Sequence, residues 1–207
     1  MKFSLPSHFY AIADPIGGHD PVDLAAKLVE NGARIVQLRM KDAPIRELIA
    51  ASNTVAKICH NAGALFIVND RADVALLCGA DGTHLGQSDL PCRAARRLLG
   101  SDSIIGVSTH SVEQARYAER AGADYIGFGP IYPGGAKHIV HAQGLERLRE
   151  VRAAVELPIV AIGGITETTV PDVIEAGADA AAIISDVALA PDIPAKVRAI
   201  LACGSSP

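Results

Sequence analysis

The residues best able to do chemistry stand directly behind short apolar runs. QLRMK sets Gln37, Arg39 and Lys41 at alternate positions, so an extended backbone points all three the same way. VNDR supplies Asn69, Asp70 and Arg71; HLGQSD supplies His84, Gln87 and Asp89; VSTH supplies Ser108, Thr109 and His110. Residues 129–144, GPIYPGGAKHIVHAQG, carry a glycine pair and then Lys137, and two further turns end in Gly163-Gly164 and Ser185-Asp186. Cations gathered beside Asp70 and Asp89 meet the needs of a diphosphate bridged by a divalent metal. Magnesium takes one or two carboxylates and completes its shell with water and substrate phosphates, so Asp70 and Asp89 are candidate ligands for it. Gly163-Gly164 and the turn at Ser185 offer backbone N–H groups of the kind that hold a monophosphate. Each residue has a plainer use: Asp70 could cap the next helix, and Arg39 with Lys41 could be a solvated pair. It is their convergence that favours chemistry.

One repeated phrase shows what must position them. LVENGARIVQLR, ALLCGADGTHLG, AERAGADYIGFG and VIEAGADAAAII each run from a helical tail through Gly-Ala, often Asp, into a β-prone stretch, and NAGALFIVND is a weaker fifth copy. Glycine readily takes the left-handed conformation that ends a helix, so each phrase predicts a helix-to-strand turn. The gaps between the strong copies suit two helix–strand units each. Strands are predicted near 9–13, 34–38, 64–68, 81–85, 103–107, 124–128, 158–162 and 180–184. Helices are predicted near 21–31, 45–62, 72–78, 92–99, 112–121, 143–155, 168–176 and 192–202, several behind start signals such as Asp20-Pro21, Asp70, Ser111 and Thr166. Runs such as IIGV and PIVAI are apolar throughout, as in a parallel sheet covered on both faces. Eight even repeats predict a single (β/α)8 TIM barrel, with a doubly wound open sheet as runner-up. In such a barrel the chemistry sits where the strands end.

Composition narrows the setting. With 49% hydrophobic but only 4% aromatic residues, the core has to be built from Ala, Val, Ile and Leu. With a net charge of −4 and scattered Lys and Arg, nothing argues for a nucleic-acid partner, and none is expected. Cys59, Cys78, Cys92 and Cys203 show no metal spacing and read as free thiols of a reducing compartment. No stretch approaches the roughly 20 apolar residues of a membrane span, and the N-terminus lacks a signal-peptide pattern. The expectation is a cytoplasmic protein of one domain over 1–207, with a disordered tail near 203–207. The assembly state stays open, a homodimer among the options.

QLRMK, VNDRADVAL, GADGTHLGQSDLP, IIGVSTHS, GADYIGFGPIYP, VAIGGIT and AAAIIS, in this order, resemble the thiamine phosphate synthase family over residues 8–188. The pair GADGTHLGQSDLP and GVSTHS is specific to that group; GADYIGFGP and AIGGI are shared with other phosphate-binding barrels. The resemblance implies that a pyrimidinylmethyl group passes from 4-amino-5-hydroxymethyl-2-methylpyrimidine diphosphate to the nitrogen of a thiazole phosphate, releasing pyrophosphate. It also implies roles. Gln37, Arg39, Lys41 and Asn69 would hold the pyrimidine diphosphate, Asp70 and Asp89 magnesium, and Ser108 the diphosphate or leaving group. Lys137 would hold pyrophosphate, and Gly164, Ile184 and Ser185 the thiazole phosphate. Arg39, Lys41, Ser108 and Lys137 would carry catalysis by stabilising the leaving group, with no protein nucleophile.

Two departures stand out. Met40 replaces the glutamate usual within QLRMK, at a position that alternation points away from Arg39 and Lys41. Gly134, Gly135 and Ala136 replace the hydroxyl residues that usually precede the lysine. Two lost hydrogen bonds to a charged group would weaken thiazole-phosphate binding about 100-fold or more. The glycine pair's N–H groups, or His138 and His141, are candidate compensations. Two other functions compete. A thiazole tautomerase-like isomerase would need a histidine where Pro130 follows Gly129. A catalytically weak phosphate-binding paralogue would bind the pyrimidine diphosphate and respond little to thiazole phosphate.

Overall fold

Ala33, Ala64, Ala80, Ala123 and Ala178 each donate their backbone N–H to the carbonyl five residues earlier, at 2.9–3.1 Å. The glycine before each alanine holds φ between 65° and 105°. This is the closure that ends a helix on a left-handed glycine, and it explains why Gly-Ala recurs. Where aspartate follows, it has its own task. Asp81, Asp124 and Asp179 accept the N–H of Phe66, Ile105 and Ile159 at 2.7–2.8 Å. Each carboxylate thus satisfies an amide at the start of the preceding strand and ties adjacent strands together at the barrel's lower end.

The computed structural model describes residues 3–134 and 141–203. Its strands are β1 Phe9–Ala13, β2 Ile35–Leu38, β3 Leu65–Asn69, β4 Gly82–Leu85, β5 Ile104–Thr109, β6 Tyr125–Phe128, β7 Ile159–Ile162 and β8 Ala180–Ile183. All pair in parallel in sequence order, and β8 closes on β1 with Tyr10 opposite Ala182. The closed barrel is as expected, and the open-sheet alternative falls. The helices are α1 Pro21–Glu30, α2 Ile45–Asn61, α3 Ala72–Cys78, α4 Cys92–Leu99, α5 Val112–Arg120, α6 Gly144–Ala154, α7 Val170–Glu175, α8 Ser185–Ala188 and α9 Ile193–Cys203.

The start signals divide. Asp20 accepts from the N–H groups of Val22 and Asp23, with Pro21 in the first turn, and Ser111 accepts from Gln114. Thr166 forms a reciprocal cap with Thr169 on a 3₁₀ turn, Glu167–Thr169, that precedes α7. The single helix expected over 168–176 is therefore two pieces. Asp70 does not cap α3, whose first turn has no side-chain cap at all. The four-residue α8 was not expected. The tail thought disordered near 203–207 lies outside the described residues except Cys203, which ends α9.

Two cores result. The larger lies between strands and helices and is built of Val, Leu, Ile and Ala with a few Phe. The smaller fills the barrel with Tyr10, Ile12, Ile35, Ile67, Tyr125, Val160, Ala180 and Ala182. The four cysteines are free thiols, and burial pushes that of Cys59 up to about 12. Among the described residues, no helix is long and apolar enough to cross a membrane.

Candidate active site

A cavity of about 660 Å³ opens where the strands end. Its wall is set by strand parity, since side chains two apart share a face. Tyr10 and Ile12 line it from β1 with Asp14 just beyond, Gln37 from β2 with Arg39 and Lys41 just beyond, and Asn69 from β3. His84, Ser108 and His110, Tyr125, and Ile184 continue the same alternation around the ring. Gly164, Ser185 and Asp70 also line the cavity. Met40, one step out of phase, packs against the outer core, as expected. Thr109 is likewise turned outward and donates to the Gly127 carbonyl at 3.0 Å. Arg71 leaves the cavity to pair with Asp73.

The charged side is a compact set. Arg39 is paired with Asp14, a carboxylate only 7% exposed whose second oxygen accepts from the Ile16 N–H at 3.1 Å. Lys41 Nζ lies 3.3 Å from Asp70 Oδ2. Asp70 holds φ 64, a left-handed conformation uncommon outside glycine and asparagine, and its N–H donates to the His84 carbonyl at 2.7 Å. That twist turns the carboxylate inward, away from any capping role. Burial first, and then the neighbouring Asp89 carboxyl within hydrogen-bond reach, hold the Asp70 pKa above the usual range against the opposing pull of Lys41. Asp89 stands just outside the main cavity, in an adjoining depression that shares Asp70, and accepts from the Gly86 N–H at 2.6 Å. Two carboxylates forced together suit a divalent cation. Among the described residues no group of three or more His, Cys, Asp or Glu gathers, so a metal here would rely on this pair and on substrate oxygens.

The floor is a chain of neutral polar groups. Gln37 Nε2 donates to the Tyr10 hydroxyl at 2.9 Å, and the Tyr10 and Tyr125 hydroxyls are 2.6 Å apart. His84 Nδ1 lies 3.1 Å from the Tyr125 hydroxyl, and His84 Nε2 lies 2.9 Å from Ser108 Oγ. Burial pushes Tyr10 up to about 12 and His84 down to about 4, so both are uncharged near neutral pH. Gly106 and Gly127 make room for this chain. A Cβ on Gly106 would lie 2.1 Å from Tyr125 Cζ, and one on Gly127 3.0 Å from His84 Cε1.

Opposite the charged side, Gly163 and Gly164 hold φ 97 and 66. A Cβ on Gly164 would stand 2.7 Å from the Tyr132 carbonyl oxygen, so this turn must be bare backbone. Ser185 begins α8 beside it, placing helical N–H groups at the cavity edge. This is the place where barrels commonly seat a phosphate. Gly134 holds φ 92, so a threonine there would be strained. Gly135, Ala136, Lys137 and His138 lie outside the described residues; His141 is exposed.

Sequence reasoning overlooked Tyr10, Asp14 and Tyr125, and assigned His84 no task. Asp14 directly follows β1, the signal used for the other strands. The two tyrosines lie inside apolar runs and gave none.

A family model described as thiamine monophosphate synthase matches residues 9–187. Thiamine-phosphate synthase of Moorella thermoacetica is 46% identical over 183 residues, 88% of this chain and 87% of the relative. That of Methanospirillum hungatei is 47% identical over 192 residues, 91% of this chain and 93% of the relative. A solved structure, thiamine phosphate pyrophosphorylase from Pyrococcus furiosus, superposes with a TM-score of 0.87 at 35% identity, covering 95% of both chains. By extent of match as much as by identity, the chain belongs to the thiamine monophosphate synthase family.

Proposed function

We propose that this chain joins 4-amino-5-hydroxymethyl-2-methylpyrimidine diphosphate to 4-methyl-5-(2-phosphooxyethyl)thiazole, yielding thiamine phosphate and pyrophosphate. The observation that carries the reading is the facing of two different anion seats across one cavity. Arg39, Lys41, Asp70 and neighbouring Asp89 form one, and the bare turn at Gly163-Gly164 with Ser185 forms the other. One cavity of about 660 Å³ has room for both substrates.

The chemistry follows from where charge must go. Loss of the diphosphate breaks the bond between the pyrimidine methylene carbon and oxygen, and the electron pair leaves with the oxygen. The electron-rich aminopyrimidine spreads the resulting positive charge. The thiazole nitrogen then gives its lone pair to the methylene carbon, forming the new C–N bond and a thiazolium. Nothing is oxidised, and no protein nucleophile is needed. Catalysis is therefore stabilisation of the leaving group and alignment of the acceptor nitrogen.

Arg39 and Lys41 face that leaving group, yet three carboxylates, Asp14, Asp70 and Asp89, stand among them. A diphosphate would be repelled by such a set alone. Asp70 and Asp89 would hold magnesium, and the bound ion would supply the positive charge that neutralises the diphosphate oxygens. Asn69 would help hold the pyrimidine diphosphate and Ser108 its diphosphate or leaving group, and Lys137, outside the described residues, is assigned to the pyrophosphate. Gly164, Ile184 and Ser185 would seat the thiazole phosphate.

Titration calorimetry tests the two seats separately. The pyrimidine diphosphate should bind only with magnesium and lose that binding in Asp89→Asn. Thiazole phosphate should bind without the metal and respond to Ser185→Pro instead. Magnesium-independent binding of the diphosphate would overturn the metal assignment. Thiazole phosphate that does not bind even with pyrophosphate present would leave a pyrimidine-diphosphate binder, the competing reading.

A further inference from the structure

The buried row from Gln37 to Ser108 has a direction. Tyr10 is 1% exposed, and its hydroxyl accepts from the Gln37 amide, so its own single proton needs an acceptor. Among the described residues that acceptor is the Tyr125 hydroxyl. Tyr125, fully buried, must then pass its proton onward, and His84 Nδ1 receives it at 3.1 Å. The reverse order would leave the Tyr10 proton buried without a partner, a costly arrangement. With Nδ1 accepting, a neutral His84 carries its proton on Nε2 and donates it to Ser108 Oγ at 2.9 Å. Ser108 has one proton, now free to point into the cavity. Its backbone is pinned as well, since Gln87 Nε2 donates to its carbonyl at 2.5 Å.

We propose that Tyr10, Tyr125 and His84 are positioning residues that lock Ser108 as a hydrogen-bond donor towards the substrate. The alternative tautomer would take the serine proton, and Ser108 would then offer only lone pairs to a phosphate oxygen or a ring nitrogen. The same order excludes the familiar Ser–His use of such a pair. A base must have a free lone pair facing the hydroxyl, and here that nitrogen carries the proton. The row is thus a polarity device for binding an acceptor atom, which agrees with chemistry that needs no nucleophile. The activity consequences rest on the synthase reading above; the tautomer itself does not.

Histidine labelled with ¹⁵N, with His84 assigned by comparison with His84→Gln, reads the tautomer directly in the ligand-free protein. Wild type should show His84 as the Nε2–H form with Nδ1 accepting a hydrogen bond, and Tyr125→Phe should move the Nδ1 resonance to that of a nitrogen without a donor. A wild-type Nδ1–H form overturns the proposal whether or not the protein makes thiamine phosphate. In turnover, Tyr125→Phe should lower kcat/KM for the pyrimidine diphosphate about 10-fold and leave the thiazole-phosphate KM unchanged. In a Ser108→Ala background the same change should cost nothing further. Multiplicative losses would mean that Tyr125 acts through general structure, and the proposal fails. Should Tyr125→Phe not fold, His84→Ala removes the partner of Ser108 Oγ directly and must show the same dependence on Ser108.

Discussion

Gly106 is the tightest check on the barrel floor. It lies opposite Tyr125 in the β5–β6 register, and an added Cβ would meet Tyr125 Cζ at 2.1 Å and its hydroxyl at 2.4 Å. Carbon atoms pack at about 3.5–4.0 Å, so the ring must retreat by roughly 1.5 Å. Its neighbours restrict that retreat. Tyr125 is fully buried, with the rings of Tyr10 and His84 centred 5.7 and 5.5 Å away. Overpacking costs about 1–3 kcal/mol, and each buried hydroxyl or ring nitrogen left without a partner costs about 1–3 more. Gly106→Ala should therefore destabilise by about 4 kcal/mol, a large share of the roughly 5–15 kcal/mol that holds a domain together. Urea unfolding followed by far-ultraviolet circular dichroism measures it. Gly127→Ala, at 3.0 Å from His84 Cε1, should cost less. Gly106→Ala combined with Tyr125→Val should recover much of the stability but not the turnover, because Ser108 stays unsupported. A Gly106→Ala protein within about 0.5 kcal/mol of wild type would refute the packing on which the Ser108 argument depends.

Other consequences concern charge. Burial holds His84 at about 4, against 6.5 in an unfolded chain, so the unfolded state binds the extra proton between those values. Stability should fall as pH drops through that window, by about 3 kcal/mol in all, and His84→Gln in chelator should lose less over the same range; equal losses would contradict it. Asp70→Asn removes a carboxyl that burial and Asp89 keep reluctant to ionise, at a φ that asparagine tolerates. Its metal-free Tm should rise, while the Tm gain on adding magnesium disappears. Asp14→Asn frees Arg39 from its paired carboxylate. It should destabilise by about 1–3 kcal/mol, because the partly buried pair is broken, yet bind pyrophosphate more tightly by calorimetry.

The barrel was legible because its helix ends repeat. Gly-Ala marks a closure whose φ only glycine adopts easily, and five such closures place most of the strands. The aspartate after Gly-Ala was visible but not interpretable, since its partners Phe66, Ile105 and Ile159 belong to the preceding strand. At four residues, α8 is too short to show a helical period. The rim was legible through parity: Gln37, Arg39 and Lys41 share a face, and Met40 leaves it. Asp70 was ambiguous because a capping aspartate and a ligand aspartate look alike in VNDR; its left-handed φ decides between them. Tyr10 and Tyr125 were hidden because FYAIA and YIGF read as core strands. Only closure of the barrel brings their hydroxyls, 115 residues apart in sequence, within 2.6 Å of one another.

The central claim is that one cavity brings a metal-neutralised diphosphate and a thiazole phosphate together for C–N bond formation. The most direct measurement follows thiamine phosphate and pyrophosphate side by side, with both substrates and magnesium present. Equal amounts of the two products should form, with neither appearing when thiazole phosphate or magnesium is omitted. Pyrophosphate released without thiamine phosphate, at saturating thiazole phosphate, would contradict it.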